Sequence, residues 1–465
     1  MSTVPERGAG GAVEVAVPHA VPQAMTELRK AARAARPEGL IDLSRSEPLP
    51  IPFPDACAAR VAEEFGRARL YSPPSGLMPV RDAVARYATA RTGLDIGNDQ
   101  VTITPGAMAG ISIALRALVE PGDEVLVPVP YFHSYPKQVA MLGAVPRFVD
   151  ARPRQGELTP EAVERELSPR TRALLLCNPG NPSGVALDRD RLAAILAALP
   201  TQVAVIADEV YAEYLYDAGP AHAPSPAHAP STGHAPSTAH APSTAALDGA
   251  GSGFTSVLRV AGEEDAGREV VVLETASKTA GMPGWRVGSA VSSTGLAPRL
   301  ASAAATLSGP ASVPTQIAYA AWLDDPPQLD RMAPYRPRLR EVLEALDVAG
   351  LTVRPPDGSY YVWATRPGSR PTSADAGGAE SGVGADVAGS GSPAADTAIG
   401  SAERVLEAAR STGVLVWPGV LFGDAQSVRI SLSVPRGDLR DGVAKLTDSW
   451  REVREGDVPI SRSRR

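Results

Sequence analysis

The sequence predicts an α/β fold built on a parallel β-sheet. Short apolar strands repeatedly meet a turn and then a helix, which is the signature of βαβ units. Polar residues gather where those strands end, and open α/β sheets bind ligands at the carboxyl ends of their strands. The totals agree. The chain has 465 residues, a length that suits two domains, and its 44% hydrophobic content is enough for a sizeable core. With 21% charged residues and a net charge of -7, it lacks the basic surface of a nucleic-acid binder. Cys57 and Cys177 lie far apart and in no metal spacing. Reduced thiols, a cytoplasmic location, no disulfide framework and no metal site are therefore expected. No signal peptide is expected, and no apolar run approaches the ~20 residues of a membrane span.

Taken in order, residues 1–20 are small and polar and are expected to be mobile. A helix is expected over 22–35, where Ala, Leu and Arg are good formers. Residues 40–48 read as a short strand entering a loop, and 55–68 as a helix. Residues 70–81 form a turn-rich entry to a helix over 80–92 and contain Tyr71. Next, Val101-Thr-Ile-Thr-Pro-Gly106 is a β-branched strand meeting a Pro-Gly turn, and an apolar helix begins at once with Ala107 and Met108. Unpaired N–H groups at such a start suit a phosphate, although an ordinary tight turn looks the same. A second strand after Pro121-Gly122 runs into an aromatic loop with Phe132, which suits either a flat ligand or the core.

Arg172-Ala-Leu-Leu-Leu-Cys177 is a buried type of strand ending in Asn178-Pro-Gly-Asn-Pro-Ser-Gly184, and a helix follows over 188–199. Val203-Ala-Val-Ile-Ala-Asp208 is another apolar strand, with Asp208 at its carboxyl end and Tyr211 just beyond. The strand over 269–273 delivers Thr275-Ala-Ser-Lys278. The chain holds only four lysines, Lys30, Lys137, Lys278 and Lys445. A lysine kept among small hydroxyl residues and a Gly/Pro turn is either a loop cation or an amine that can lose its proton and attack a carbonyl. Helices are expected over 339–346 and 402–412, and strands over 351–354, 358–364 and 427–433. In the last strand Arg429 alternates with Val428 and Ile430, so it faces away from them and needs an anionic partner or an exposed edge.

Two low-complexity segments interrupt the pattern. Residues 217–253 carry a six-residue repeat in which His222, His228, His234 and His240 each open His-Ala-Pro-Ser. Residues 367–400 are rich in Gly, Ala, Ser and Asp. Both are expected to be disordered and to carry no chemistry.

Four motifs in this order, Asn178-Pro-Gly-Asn-Pro-Ser-Gly184, Asp208-Glu-Val-Tyr211, Ser277-Lys278 with Gly284-Trp-Arg-Val-Gly288, and Val428-Arg-Ile-Ser431, resemble the class I/II aminotransferases. These are fold-type-I enzymes that use pyridoxal 5′-phosphate, and the Gly-Trp-Arg-Val-Gly form is similar to the bacterial aspartate/prephenate branch. The resemblance runs from about residue 38 to 450. It implies a large cofactor-binding domain over 70–303 with a mostly parallel sheet of about seven strands flanked by helices. It also implies a smaller α+β domain built from both chain ends, 21–69 and 304–452, followed by a tail over 453–465.

The resemblance further implies roles. Lys278 would form the internal aldimine and shuttle the proton, and Asp208 would pair with the ring nitrogen. Asn181 and Tyr211 would bind the ring hydroxyl oxygen, and Phe132 would stack on the ring. The phosphate would sit on Gly106, Ala107 and Met108 with Thr275, Ser277 and Arg286. Arg429 would grip the substrate carboxylate, and Tyr71 would reach the phosphate of the neighbouring subunit in a homodimer with shared sites. Ser46 stands where the family usually has Gly, beside the substrate carboxylate. The activity implied is ping-pong amino-group transfer from an α-amino acid to a 2-oxo acid. The same groups serve a β-elimination lyase, which would release ammonia. A non-catalytic sensor would carry a DNA-binding domain in front, for which the about 38 preceding residues are too few.

Overall fold

The structure, a computed structural model, describes residues 21–35, 39–216, 254–265, 267–327, 329–366 and 401–456. Segment 1–20 and both low-complexity insertions lie outside the described residues. After β1 (Ile41–Asp42), seven strands form the large sheet: β2 (Val101–Thr104), β3 (Glu124–Val129), β4 (Val145–Asp150), β5 (Thr171–Cys177), β6 (Ala204–Asp208), β7 (Val270–Thr275) and β8 (Gly288–Ser292). Their order is β2-β8-β7-β6-β5-β3-β4. Pairing is parallel from β4 through β7, whereas β8 runs antiparallel to both β7 and β2.

The strands are continuous apolar runs because both faces of the sheet are covered. Alternate residues of one strand therefore enter different cores. Ala173, Leu175, Ile206 and Val271 pack on one side, and Leu174, Leu176, Val205 and Val272 on the other. Each such buried Leu, Ile or Val contributes about 1.5–3 kcal/mol of transfer free energy. Helix Ala107–Leu118 covers the first face through Ile111 and Leu115. Helices Arg189–Ala198 and Val257–Glu264 cover the second through Leu192, Ile195 and Leu258. Asp188 and Ser256 cap these two helices, their side chains accepting from the N–H groups of Arg191 and Leu258.

A second, smaller sheet is formed by β9 (Thr352–Val353), β10 (Tyr361–Thr365), β12 (Trp417–Pro418) and β13 (Ser427–Ser431) in the order β12-β13-β10-β9, all antiparallel. Separately, β11 (Val414–Leu415) pairs in parallel with β1, so the two ends of the chain are joined. Leu339, Val342 and Leu346 of helix Arg336–Val348 share one core with Leu439, Val443 and Leu446 of helix Arg436–Gly456.

Some elements differ from expectation. The helix expected over 55–68 stops at Glu63, and a 3-10 turn, Phe65–Arg69, continues it. Gly66 lies in that turn, where its backbone freedom disfavours an α-helix. The strand expected from Gly358 begins only at Tyr361, because Ser359 adopts a left-handed φ of 62°. The strand over 351–354 is reduced to Thr352–Val353, with Pro355 and Pro356 close behind. The last helix reaches Gly456, four residues into the expected tail.

Candidate active site

The parallel strands β5, β6 and β7 end together, with Cys177 opposite Asp208 and Asp208 opposite Leu273. A cavity of about 270 Å³ opens there. Asp208 is 5% exposed and points into it. Its Oδ2 accepts a hydrogen bond from the Tyr135 hydroxyl at 2.7 Å, while Oδ1 is buried without a partner. Burial raises the carboxyl to about 6, against the opposing effects of Tyr135, the Val210 N–H and the charge of Lys278. An orphaned carboxylate oxygen of this kind fits a protonated ring nitrogen, which would supply the missing donor and restore the charged form.

The next residue serves a different site. Glu209 accepts from Ser256 Oγ at 3.1 Å and the Val257 N–H at 2.8 Å, and it pairs with Arg91 at 3.3 Å. Glu274, just before Thr275, faces the same arginine. Burial raises Glu209 to about 7, partly offset by Arg91.

Lys278 stands on the short helix Ala276–Thr279 directly after β7. Thr275 starts that helix, its hydroxyl accepting from the Ser277 N–H. The Lys278 amine donates to the Ser46 carbonyl at 2.5 Å, and burial lowers its pKa. Because β8 turns back beside β7, Arg286 returns to the same place and its Nη1 donates to Ser277 Oγ at 3.4 Å and to the Pro283 carbonyl at 2.9 Å. A Cβ on Gly106 would stand 2.8 Å from Arg286 Nη2, so the glycine leaves room for the guanidinium at the start of helix Ala107–Leu118. Two hydroxyls, a guanidinium and the unpaired N–H groups of a helix start form a cup suited to a phosphate.

The small sheet supplies the opposite wall. Arg429 is 0% exposed and lies on β13, between β12 and β10. The exposed edge allowed by the sequence is thus replaced by a buried position. Nη1 donates to Asn181 Oδ1 at 2.9 Å and Nη2 to Ser46 Oγ at 3.1 Å, while Nε is buried without a partner. Tyr361 at 4.0 Å, Trp417 at 5.1 Å and Phe422 at 5.2 Å enclose the guanidinium. A buried cation that pairs with no carboxylate among the described residues is a prepared partner for an anionic ligand. Asn181 also donates from Nδ2 to the Tyr211 hydroxyl at 3.3 Å, so it joins Arg429 to Tyr211.

Of the residues singled out from sequence, Ser46, Ala107, Met108, Phe132, Asn181, Asp208, Tyr211, Thr275, Ser277, Lys278 and Arg286 line the one cavity. Gly106 supports it beside Arg286, and Arg429 stands behind Ser46, Asn181 and Tyr361. Tyr71 is 98% exposed and lies outside the cavity of its own chain. Sequence reasoning missed Tyr135, His133, Glu47 and Tyr361. Tyr361 reaches the Tyr211 hydroxyl at 3.2 Å and the Ser46 carbonyl at 3.4 Å. Burial acts to raise its phenol, but Arg429 and Lys278 outweigh that and lower it. The density of aromatic residues over 131–135 and the paired Tyr360-Tyr361 were the available signals.

Comparison with known proteins agrees with this geometry. The chain is 28% identical over 400 residues to the aspartate/prephenate aminotransferase of Thermus thermophilus, covering 84% of this chain and 85% of that protein. It is 25% identical over 429 residues to the aspartate aminotransferase of Geobacillus stearothermophilus, covering 91% and 94%. A solved single mutant of Thermus thermophilus aspartate aminotransferase superposes with a TM-score of 0.70 at 25% identity, over 95% of this chain and 100% of that one. The aspartate aminotransferase of Rhizobium meliloti, at 21% identity, shares the fold with a TM-score of 0.72, over 95% of this chain and 99% of that one. The fold is that of a pyridoxal-phosphate-dependent enzyme. More narrowly, the family model for aminotransferase class I and II matches residues 38–446, and the chain belongs to that family. It is an aminotransferase that acts on amino acids and oxo acids.

Proposed function

We propose that the chain moves the amino group of an α-amino acid to a 2-oxo acid in two ping-pong half-reactions centred on Lys278. The observation that carries this is the meeting of a pKa-lowered amine and a half-satisfied carboxylate at one cavity, with a buried arginine behind Ser46 and Asn181 that pairs with no carboxylate among the described residues. Pyridoxal 5′-phosphate, when bound, supplies an electrophilic carbonyl carbon and an electron-accepting ring. The chain does the rest. Lys278 Nζ, its pKa lowered by burial, would hold the cofactor at that carbon and carry the proton from the substrate α-carbon. Asp208 Oδ1 would hold a proton on the ring nitrogen. Asn181 and Tyr211 would bind the ring hydroxyl oxygen, and Phe132 would pack on the ring face. Gly106, Ala107, Met108, Thr275, Ser277 and Arg286 would hold the phosphate. Arg429 would take the α-carboxylate as a two-pronged fork, with Ser46 beside it.

The working unit proposed is a homodimer in which Tyr71 reaches the phosphate of the second copy. Supporting this, Phe65, Leu70, Tyr71 and Met78 are all exposed within one short stretch, an apolar surface that a second chain would cover. We place the enzyme in the cytoplasm, in keeping with the free thiols of Cys57 and Cys177. Among the described residues no helix is long and apolar enough to cross a membrane.

The test is the visible spectrum of the cofactor-loaded protein as single amino acids are added. Transamination bleaches the visible band with one donor, a 2-oxo acid restores it, and no ammonia appears. Ammonia release without restoration would assign the lyase reaction instead.

A further inference from the structure

His133 follows Phe132 in the loop between β3 and helix Tyr135–Met141. It lines the same cavity as Lys278, Asn181 and Tyr361. Its ring stacks on Trp417, with centroids 4.9 Å and planes 16° apart, and leans on Phe132 at 4.4 Å. Phe422 meets it edge-on at 6.1 Å. An apolar aromatic would satisfy all three contacts. Yet Nδ1 is buried with no hydrogen-bond partner. A buried polar atom left unpaired is costly, and in a native site it calls for a specific explanation. The imidazole is neutral, because burial first and the charge of Arg429 second push its pKa down to about 3. It therefore offers one donor and one acceptor and no charge.

Its position says what would use them. Trp417, on which His133 stacks, also walls Arg429. Phe132, on which it leans, packs against the cofactor ring in the function proposed above. His133 thus lines the cavity between the Phe132 wall and the Trp417 wall that borders Arg429. The nearby walls are Met108, Ile111 and Tyr361, and Glu47 also lines the cavity, its carboxylate charge acting on Lys278. That carboxylate disfavours a second acidic group on the substrate.

We propose that His133 is a specificity-determining residue that hydrogen-bonds an uncharged polar group on the side chain of the amino-acid substrate. Neutral polar side chains, amides foremost, are thereby selected over a second carboxylate. This rests on the aminotransferase reading of the cavity.

Two substitutions separate hydrogen bonding from packing. His133→Phe keeps the stack on Trp417 and removes both nitrogens. His133→Gln removes the ring and keeps a hydrogen-bonding group. Steady-state kcat and KM are measured for glutamine, asparagine, aspartate, glutamate, leucine and alanine as donors. The wild type is expected to favour the amides over the acids. His133→Phe is expected to lower kcat/KM for the amides about tenfold more than for leucine and alanine, chiefly through KM, and His133→Gln to preserve the preference. A wild type that favours the acids overturns the proposal. So does a uniform loss across donors, or a His133→Gln enzyme impaired equally for all of them, which would mark His133 as packing only. If His133→Phe does not fold, the His133→Gln profile decides by the same criterion. A wild type whose visible band responds to no donor defeats the proposed function itself, whereas a responsive enzyme with an unchanged preference defeats only the role of His133.

Discussion

The side-chain amine of Lys278 donates a 2.5 Å hydrogen bond to the main-chain carbonyl of Ser46, a residue 232 positions earlier. The hydroxyl of the same serine accepts from Arg429. One residue thus meets both the amine of Lys278 and the guanidinium of Arg429. Replacing Lys278 with Ala removes the amine and leaves β7 and its short helix intact. The expected outcome is loss of the visible cofactor band and a fall in turnover of at least ~10⁴-fold, with the circular dichroism unchanged. Turnover close to that of the wild type would remove Lys278 from the chemistry.

Arg429→Ala should act mainly on substrate affinity. A carboxylate contact with a buried arginine is worth about 2–5 kcal/mol, so KM should rise by roughly 30-fold or more. Arg429→Lys should recover only part of this, because an ammonium cannot engage Asn181, Ser46 and a carboxylate as a planar fork. Steady-state kinetics on both variants test the point, and an unchanged KM in Arg429→Ala would refute it.

Gly106→Ala tests the phosphate cup. Gly106 has a φ of 81°, and its added methyl would meet Arg286 Nη2 at 2.8 Å. Left-handed strain of about 1–2 kcal/mol and a displaced guanidinium should weaken cofactor binding by roughly tenfold. Titration of the cofactor-free protein with pyridoxal 5′-phosphate measures it. Inorganic phosphate should compete less well with the cofactor in the variant than in the wild type.

Glu209 gives a pH signature apart from catalysis. Its carboxyl titrates near 7 in the folded chain, against an ordinary value of 4.5. A raised carboxyl binds its proton more tightly when folded. Its contribution to stability is therefore complete below about 4.5 and is lost as pH rises through 7. Glu209→Gln does not titrate. Its stability relative to the wild type should accordingly improve as pH rises from about 4.5 to 7.5, by at most ~3 kcal/mol. Denaturant midpoints of the two cofactor-free proteins across that range provide the check, and parallel curves would contradict the assignment.

Much of the large sheet was legible because its strands are unbroken apolar runs ending in polar residues. Asp208 and Lys278 each stand at or just beyond such an end. Arg429 was legible as an inward arginine, but not its enclosure, since Trp417 and Tyr361 come from neighbouring strands that periodicity alone does not pair. Tyr135 hydrogen-bonds Asp208 across 73 residues, and no local pattern announces that contact. His133 was hidden for a related reason. It stands in a loop of aromatics, where a polar atom without a partner becomes visible only once the surrounding packing is known.

The reversed direction of β8 has a consequence for how the site assembles. A strand running the other way needs only a short return after β7, so Ser277 and Arg286 meet across nine positions. Arg429 and Asn181 meet across 248, and Lys278 and Ser46 across 232. Within the proposed phosphate cup the Ser277–Arg286 contact is thus short-range, whereas Gly106 meets Arg286 across 180 positions and the contacts of Arg429 and Lys278 are longer still. Loop closure delays contacts of the second kind. The Ser277–Arg286 corner should form earlier in folding, and survive partial unfolding longer, than the contacts that bring Gly106, Ser46 and Asn181 to it.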